Sequence, residues 1–344
     1  TGTTNSTNDL YFKGVGDVEF NGDANLAGGV YAQNLSFEQN TRPNLKFNGN
    51  VTLTGAVEFE GISASFANGV EAAGNDLTLN FTETSTLDGL INVRNFTSVG
   101  AVDLNGNFAT TGFQKYEGNV ALAGDSALSG ATASFSGAIE GNSNNLTLNM
   151  SGLSSLTGGL NNVTDFSASG DIELGGNFST SGTQTFGGSV ALAGDTTMSG
   201  VDATFSGITG NGNDLSLNYS GGAISLGGSY SGIADFTAET DVNLNGSFKT
   251  SGTQTYKASA SLTGDTTLTG VSASFSKGLE GGGNDLTLDF SQTSTLGGLN
   301  NIAAFTSEGA VNLNGSFATT GAQTYNGNVD LLSDTTLSST TASF

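Results

Sequence analysis

GTQTYKASASLTGDTTLTG, residues 252–270, returns almost letter for letter as GTQTFGGSVALAGDTTMSG at 182–200 and GAQTYNGNVDLLSDTTLSS at 321–339. A text that repeats itself while carrying no reactive group points to architecture before chemistry, and regular self-similarity overrides the usual reading of 344 residues as two or three compact domains. The wider chain keeps the same beat. The Phe that closes ASF or ATF falls at Phe66, Phe135, Phe205, Phe275 and Phe344, in steps of 69, 70, 70 and 69. Phe96, Phe166, Phe236 and Phe305 form a second series, Phe108, Phe178, Phe248 and Phe317 a third, and Phe47, Tyr116, Phe186, Tyr256 and Tyr325 a fourth. Five repeats of about 70 residues, approximately 1–66, 67–135, 136–205, 206–275 and 276–344, fill one continuous body over 1–344.

Composition narrows the class. With 53 Gly, a single Pro, no Trp and few Lys or Arg, the chain is unlike a helical protein, while 22 Phe and recurring Val and Leu supply more apolar material than a disordered chain carries. Each repeat divides into alternating Val/Leu-x-Leu strands bounded by Gly, Asn and Asp, with turns too short for a crossover helix. The reading is an all-β, single-stranded parallel β-solenoid with three coils of about 23 residues per repeat. Five repeats give about 15 coils, spanning about 70 Å at about 4.8 Å per coil. A lone coil buries nothing; stacking closes both the backbone ladder and the apolar interior. Gly and Asn are expected at corners that need positive φ. The aromatics Phe66, Phe135, Phe205, Phe275, Phe96, Phe166, Phe236 and Phe305 are read as core, each series alternating along the interior with rings of another.

Charge excludes some partners. Eight basic against 31 acidic residues give a net charge of −23, which repels a nucleic-acid backbone or an anionic membrane. No apolar run approaches the length of a membrane helix, so no membrane insertion is expected, and residues 1–10 lack the pattern of a signal peptide. An exported chain would therefore have had its signal removed. Without Cys there is no disulfide, thiolate or Cys-bound metal.

The Gly-x-Gln-Thr-Tyr/Phe element followed by Val-x-Leu-x-x-Asp-Thr-Thr-Leu, at Gly182 to Met198, Gly252 to Leu268 and Gly321 to Leu337, resembles the β-strand repeats of filamentous-haemagglutinin-like secreted adhesins. A looser copy begins at Gly112. The resemblance implies a right-handed β-helical shaft on the cell surface or outside the cell; the Asn-Pro-Asn-Gly type motif of its secretion domain is not in the sequence.

The phase of the two ends suggests self-association. From each closing Phe to the Leu of the following Asn-Asp/Asn-Leu the step is 11, 11, 10 and 11 residues, and joining Phe344 to Thr1 would place Leu10 at a step of 10. Terminal coils of a solenoid expose unpaired edges. The expectation is a head-to-tail homopolymer, a fibre whose joint involves Thr1, Gly2, Asn8, Leu10, Thr341 and Phe344, with the shaft of a longer adhesin as the alternative. Host-cell or matrix glycans or proteins are the other candidate partners. Phe37 to Phe47 holds two more residues than Phe108 to Tyr116 and contains the only proline; Arg42, Pro43 and Lys46 are read there as a surface loop.

Catalysis is not expected. Polysaccharide-active β-helices need clustered carboxylates with a basic residue or metal, whereas the basic residues here are scattered, His is absent, and Glu58 with Glu60 or Asp17 with Glu19 are what a solvated strand displays. No cofactor is expected, calcium being the one alternative. Asp125, Asp195, Asp265 and Asp334 recur once per repeat and would form a column spaced about 14 Å, too wide for a shared calcium, each tying its own turn. The Thr-Gln-Thr element, once per repeat, would leave any ice-binding threonine ladder broken, and the Asn-x-Ser/Thr triplets at Asn50, Asn80, Asn145 and Asn218 are what Asn/Thr-rich text supplies by chance.

Overall fold

The computed structural model of the protein describes residues 2–13, 17–33 and 44–344; Thr1, Arg42 and Pro43 lie outside them. The chain is an all-β parallel β-solenoid of about 17 turns, with no helix among the described residues. It forms two compact units, Thr1–Glu173 and Leu174–Phe344.

In the first unit one side of the solenoid runs Val57, Leu77, Phe96, Gln114 and Ala133, each paired in parallel with the next, in steps of 20, 19, 18 and 19 residues. In the second, Leu286, Phe305 and Gln323 follow at steps of 19 and 18. A coil is therefore about 19 residues with three sides, shorter than the 23 expected, and the turns are correspondingly more numerous. Alternation fixes which residues fill it: Leu77–Phe81 reads buried, half-buried, buried, half-buried, buried, so Leu77, Leu79 and Phe81 enter the lumen and Thr78 and Asn80 face out.

The short coil changes how the repeat sits on the fold. Phe66 pairs with Leu87, Leu87 with Leu104 and Leu104 with Leu122, three coils up one side, and Phe135 then lies two sides further along. Phe275, Leu296, Leu313 and Leu331 climb one side of the second unit in the same way before Phe344, again two sides on. One repeat is thus three and two-thirds turns, and each copy is rotated by one side relative to the copy before it.

Rings stack on rings as a result. Nineteen residues separate the fourth aromatic series from the closing Phe, one coil, and the pairs lie face to face: Phe47 on Phe66 at 4.9 Å, Tyr116 on Phe135 at 4.7 Å, Phe186 on Phe205 at 5.2 Å and Tyr256 on Phe275 at 4.4 Å between centroids. Phe66, Phe135, Phe205, Phe275, Phe96, Phe166, Phe236 and Phe305 are all buried. The corner two residues after Leu90, Leu160, Tyr230 and Leu299 is left-handed, filled by Asn92, Asn162, Gly232 and Asn301 at φ of 57°, 54°, 67° and 53°, residues that tolerate that region.

Candidate functional site: the side-chain ladders and the open coils

The recurring Gln is the residue whose role the sequence reading missed. Gln114, Gln184, Gln254 and Gln323 are buried to 1 % exposure or less. The amide of Gln254 donates to Thr269 O at 3.0 Å one coil on, to Thr250 Oγ1 at 3.3 Å and to Phe248 O at 3.4 Å, while its own oxygen accepts the Tyr256 hydroxyl at 2.9 Å. Gln114 with Tyr116 and Gln323 with Tyr325 repeat the arrangement. Buried amides are expensive unless paired, and here both ends are. The signal was present as Gln-x-Tyr, two residues on one inward face. Burial pushes the phenols of Tyr116 and Tyr256 far above their ordinary value, and that of Tyr325 up to about 12.

The once-per-repeat aspartates form no column with one another, contrary to expectation, because each repeat turns by one side. Asp195 leads the side through Leu215, Phe236 and Gln254; Asp265 leads a different one through Leu286, Phe305 and Gln323. Asp125, Asp195 and Asp265 bond the next coil. Asp195 Oδ1 accepts the Asp214 amide at 3.0 Å, Asp214 Oδ1 that of Asp235 at 2.9 Å, and Asp235 Oδ1 that of Thr253 at 2.6 Å. Asp125 and Asn145, and Asp265 and Asp285, start the same ladder elsewhere, with 2.8 and 3.0 Å contacts. Among the described residues no group of three or more acidic, His or Cys side chains is placed to hold a metal ion.

No coil-by-coil Thr-x-Thr ladder forms, but one outward column carries a single hydroxyl per coil until Asn312 follows Thr295. Thr197, Ser216, Thr237, Thr255, Ser274 and Thr295 follow one another in register through six coils, because the rotation brings unlike parts of the repeat to the same side. Its flank is acidic for three coils, at Asp195, Asp214 and Asp235.

Among the described residues four cations, Lys46, Arg94, Lys115 and Lys257, are paired with acids. Arg94 closes a fork on Asp76 at 2.8 and 2.6 Å, and Lys257 meets Glu239 at 2.5 Å. Lys46 lies outward on the strand Leu45–Phe47 and bridges Glu19 at 3.2 Å.

Among the described residues two coils have a side with no neighbour. In the last coil Leu331, Leu332 and Phe344 are 61, 58 and 76 % exposed, although Leu313 and Phe275, at the same positions in other coils, are buried. Phe344 lies flat on Tyr325 at 5.1 Å and offers its other face. Thr341 is exposed and pairs with Ala322. In the first coil Thr4 pairs with Ala24 and Leu10 with Val30, and Gly2, Leu10, Phe12, Val18 and Phe20 line a depression of about 520 Å³. Asn8 is exposed, its carbonyl accepting the Ser6 hydroxyl at 2.6 Å.

No protein-family model, curated protein or solved structure matches the chain.

Proposed function

We propose that the protein is a non-enzymatic structural element, a stiff extracellular fibre built by head-to-tail stacking of β-solenoid copies and used for surface attachment, matrix or biofilm. What supports this reading is the parallel β-solenoid, in which layer is added to layer in one direction and apolar residues are buried only by the coil above. A heterologous contact of this kind does not close on itself, so it propagates. The acidic surface keeps such fibres apart and disfavours nucleic acid, leaving the protein itself and glycans or proteins of a host or matrix as partners. The scattered cations and the absence of His and Cys supply no acid, base or nucleophile set for catalysis.

A second reading is favoured by the Gly-x-Gln-Thr-Tyr/Phe repeats: the shaft of a filamentous-haemagglutinin-like adhesin, in which further coils of the same chain continue the stack. Negative-stain electron microscopy of dilute protein separates the two. Filaments many times the length of one molecule support stacking between copies; lone particles of uniform length overturn it and favour the shaft.

A further inference from the structure

One corner of the second unit is bare where the same repeat position in the first unit carries side chains. After Phe66 the first unit has Asn68 and, one coil on, Asp88. The side-chain amide of Asn68 donates to Asn48 O at 3.1 Å and that of Asn105 to Asp88 Oδ1 at 3.2 Å, so polar groups tie coil to coil across that corner. After Phe275 the same positions hold Lys277 and Gly297. Gly278 and Gly298 lie beside them at φ of 82° and 128°. A Cβ on Gly278 would stand 3.0 Å from Gly298 O, and one on Gly298 3.0 Å from Ser316 O, so this floor admits no side chain. The result is a depression of about 470 Å³.

Its wall is a polar column. Ser261, Glu280 and Asn300 follow one another in register on three successive coils, about 4.8 Å apart. The Asn300 amide donates to Glu280 Oε2 at 2.6 Å, which fixes the carboxylate and leaves Oε1 to accept from elsewhere. Lys277, on the other side of the glycines, is exposed and is not among the four paired cations. A concave surface with a few fixed donors and acceptors is what a small polar ligand needs. The geometry points to a binding site for a neutral glycan chain lying along the solenoid axis over these coils. Its hydroxyls donate to Glu280 Oε1 and accept from Lys277 Nζ and Asn300 Nδ2, while one face of a sugar ring rests on the Gly278 and Gly298 backbone. An acidic polymer suits the site less, because Lys277 is a single ammonium near a carboxylate on a chain of net charge −23. The inference rests on the glycan partner named in the reading above and gives that partner a place.

Calorimetric titration of the full chain with cellohexaose, chitohexaose, mannohexaose and isomaltohexaose tests it, with a heparin hexasaccharide as the acidic counterpart. At least one neutral member is expected to bind. Glu280→Ala with Asn300→Ala should weaken that binding about tenfold or more, through loss of hydrogen bonds to a charged group. Ser259→Tyr, which fills the depression from an exposed position, should do the same. Glu71→Ala, at the matching repeat position of the first unit, should leave binding unchanged, and β-sheet circular dichroism verifies that each variant is folded. No binding of any neutral member, binding that survives both groove variants, or tighter binding of the heparin hexasaccharide each overturns the site. None of these outcomes touches the fibre reading, which fails instead on lone particles in the electron microscope.

Discussion

The Tyr219 hydroxyl donates to Gln184 Oε1 at 2.6 Å from 35 residues further along the chain. In the other copies the Gln is served by the Tyr two residues after it, but position 186 is Phe and has no hydroxyl to give. A Tyr at the end of the strand Leu215–Tyr219, where Phe81, Met150 and Phe290 stand in other repeats, supplies the donor instead. Two departures from the repeat therefore cancel at one buried oxygen.

Tyr219→Phe is expected to destabilise the protein by about 1–3 kcal/mol, the cost of leaving a buried acceptor unpaired. Adding Phe186→Tyr should restore most of the loss. Denaturant midpoints of the two single variants and the double variant measure the coupling; an additive cycle would contradict the account.

Gly309 and Gly194 should respond oppositely to alanine. A Cβ on Gly309 would lie 2.1 Å from the Phe290 carbonyl oxygen, whereas one on Gly194 meets nothing within 4 Å. Gly309→Ala is expected to cost about 1–3 kcal/mol, and Gly194→Ala to be neutral or stabilising by up to about 1 kcal/mol. Thermal melts of the two variants decide it.

Alkali should unfold the protein through its tyrosines. Burial raises the phenols of Tyr116, Tyr219, Tyr230 and Tyr256 well above the ordinary 10.0, so the stability they contribute is present below that value and lost as pH rises from it toward the folded values. Absorbance at the tyrosinate band is expected to rise in two stages, the exposed Tyr11 ionising first and the buried set only with loss of the β-sheet circular dichroism. A single smooth titration with the fold retained would refute this.

Acid acts on Asp76 in the other direction. The hydrogen bonds from Arg94 hold its carboxyl below the ordinary 3.8, so the pair's contribution is present above that value and lost as pH falls below it. Arg94 is exposed and Asp76 half-buried, which keeps the effect small. Arg94→Gln should therefore melt slightly lower than wild type at neutral pH and converge with it in acid; a gap that persists in acid would place the effect elsewhere.

The parallel solenoid was legible because alternation and turn residues are local signals: Leu77–Phe81 and Leu286–Phe290 announce themselves as strands facing one interior. Coil length was not, since the strands 102–110, 120–130, 242–250 and 260–270 each run through a corner without breaking and conceal one side of the triangle. From that error came the misplaced aspartate column. Gln254 went unread because an isolated polar letter between two threonines looks solvated until the neighbouring coil shows it enclosed.

A period of three and two-thirds turns also governs what the surroundings meet. Within a unit, whatever is written once per repeat, whether a charge, a hydroxyl or an inserted epitope, is carried to a different side by the next copy, so neighbouring copies do not crowd the same face.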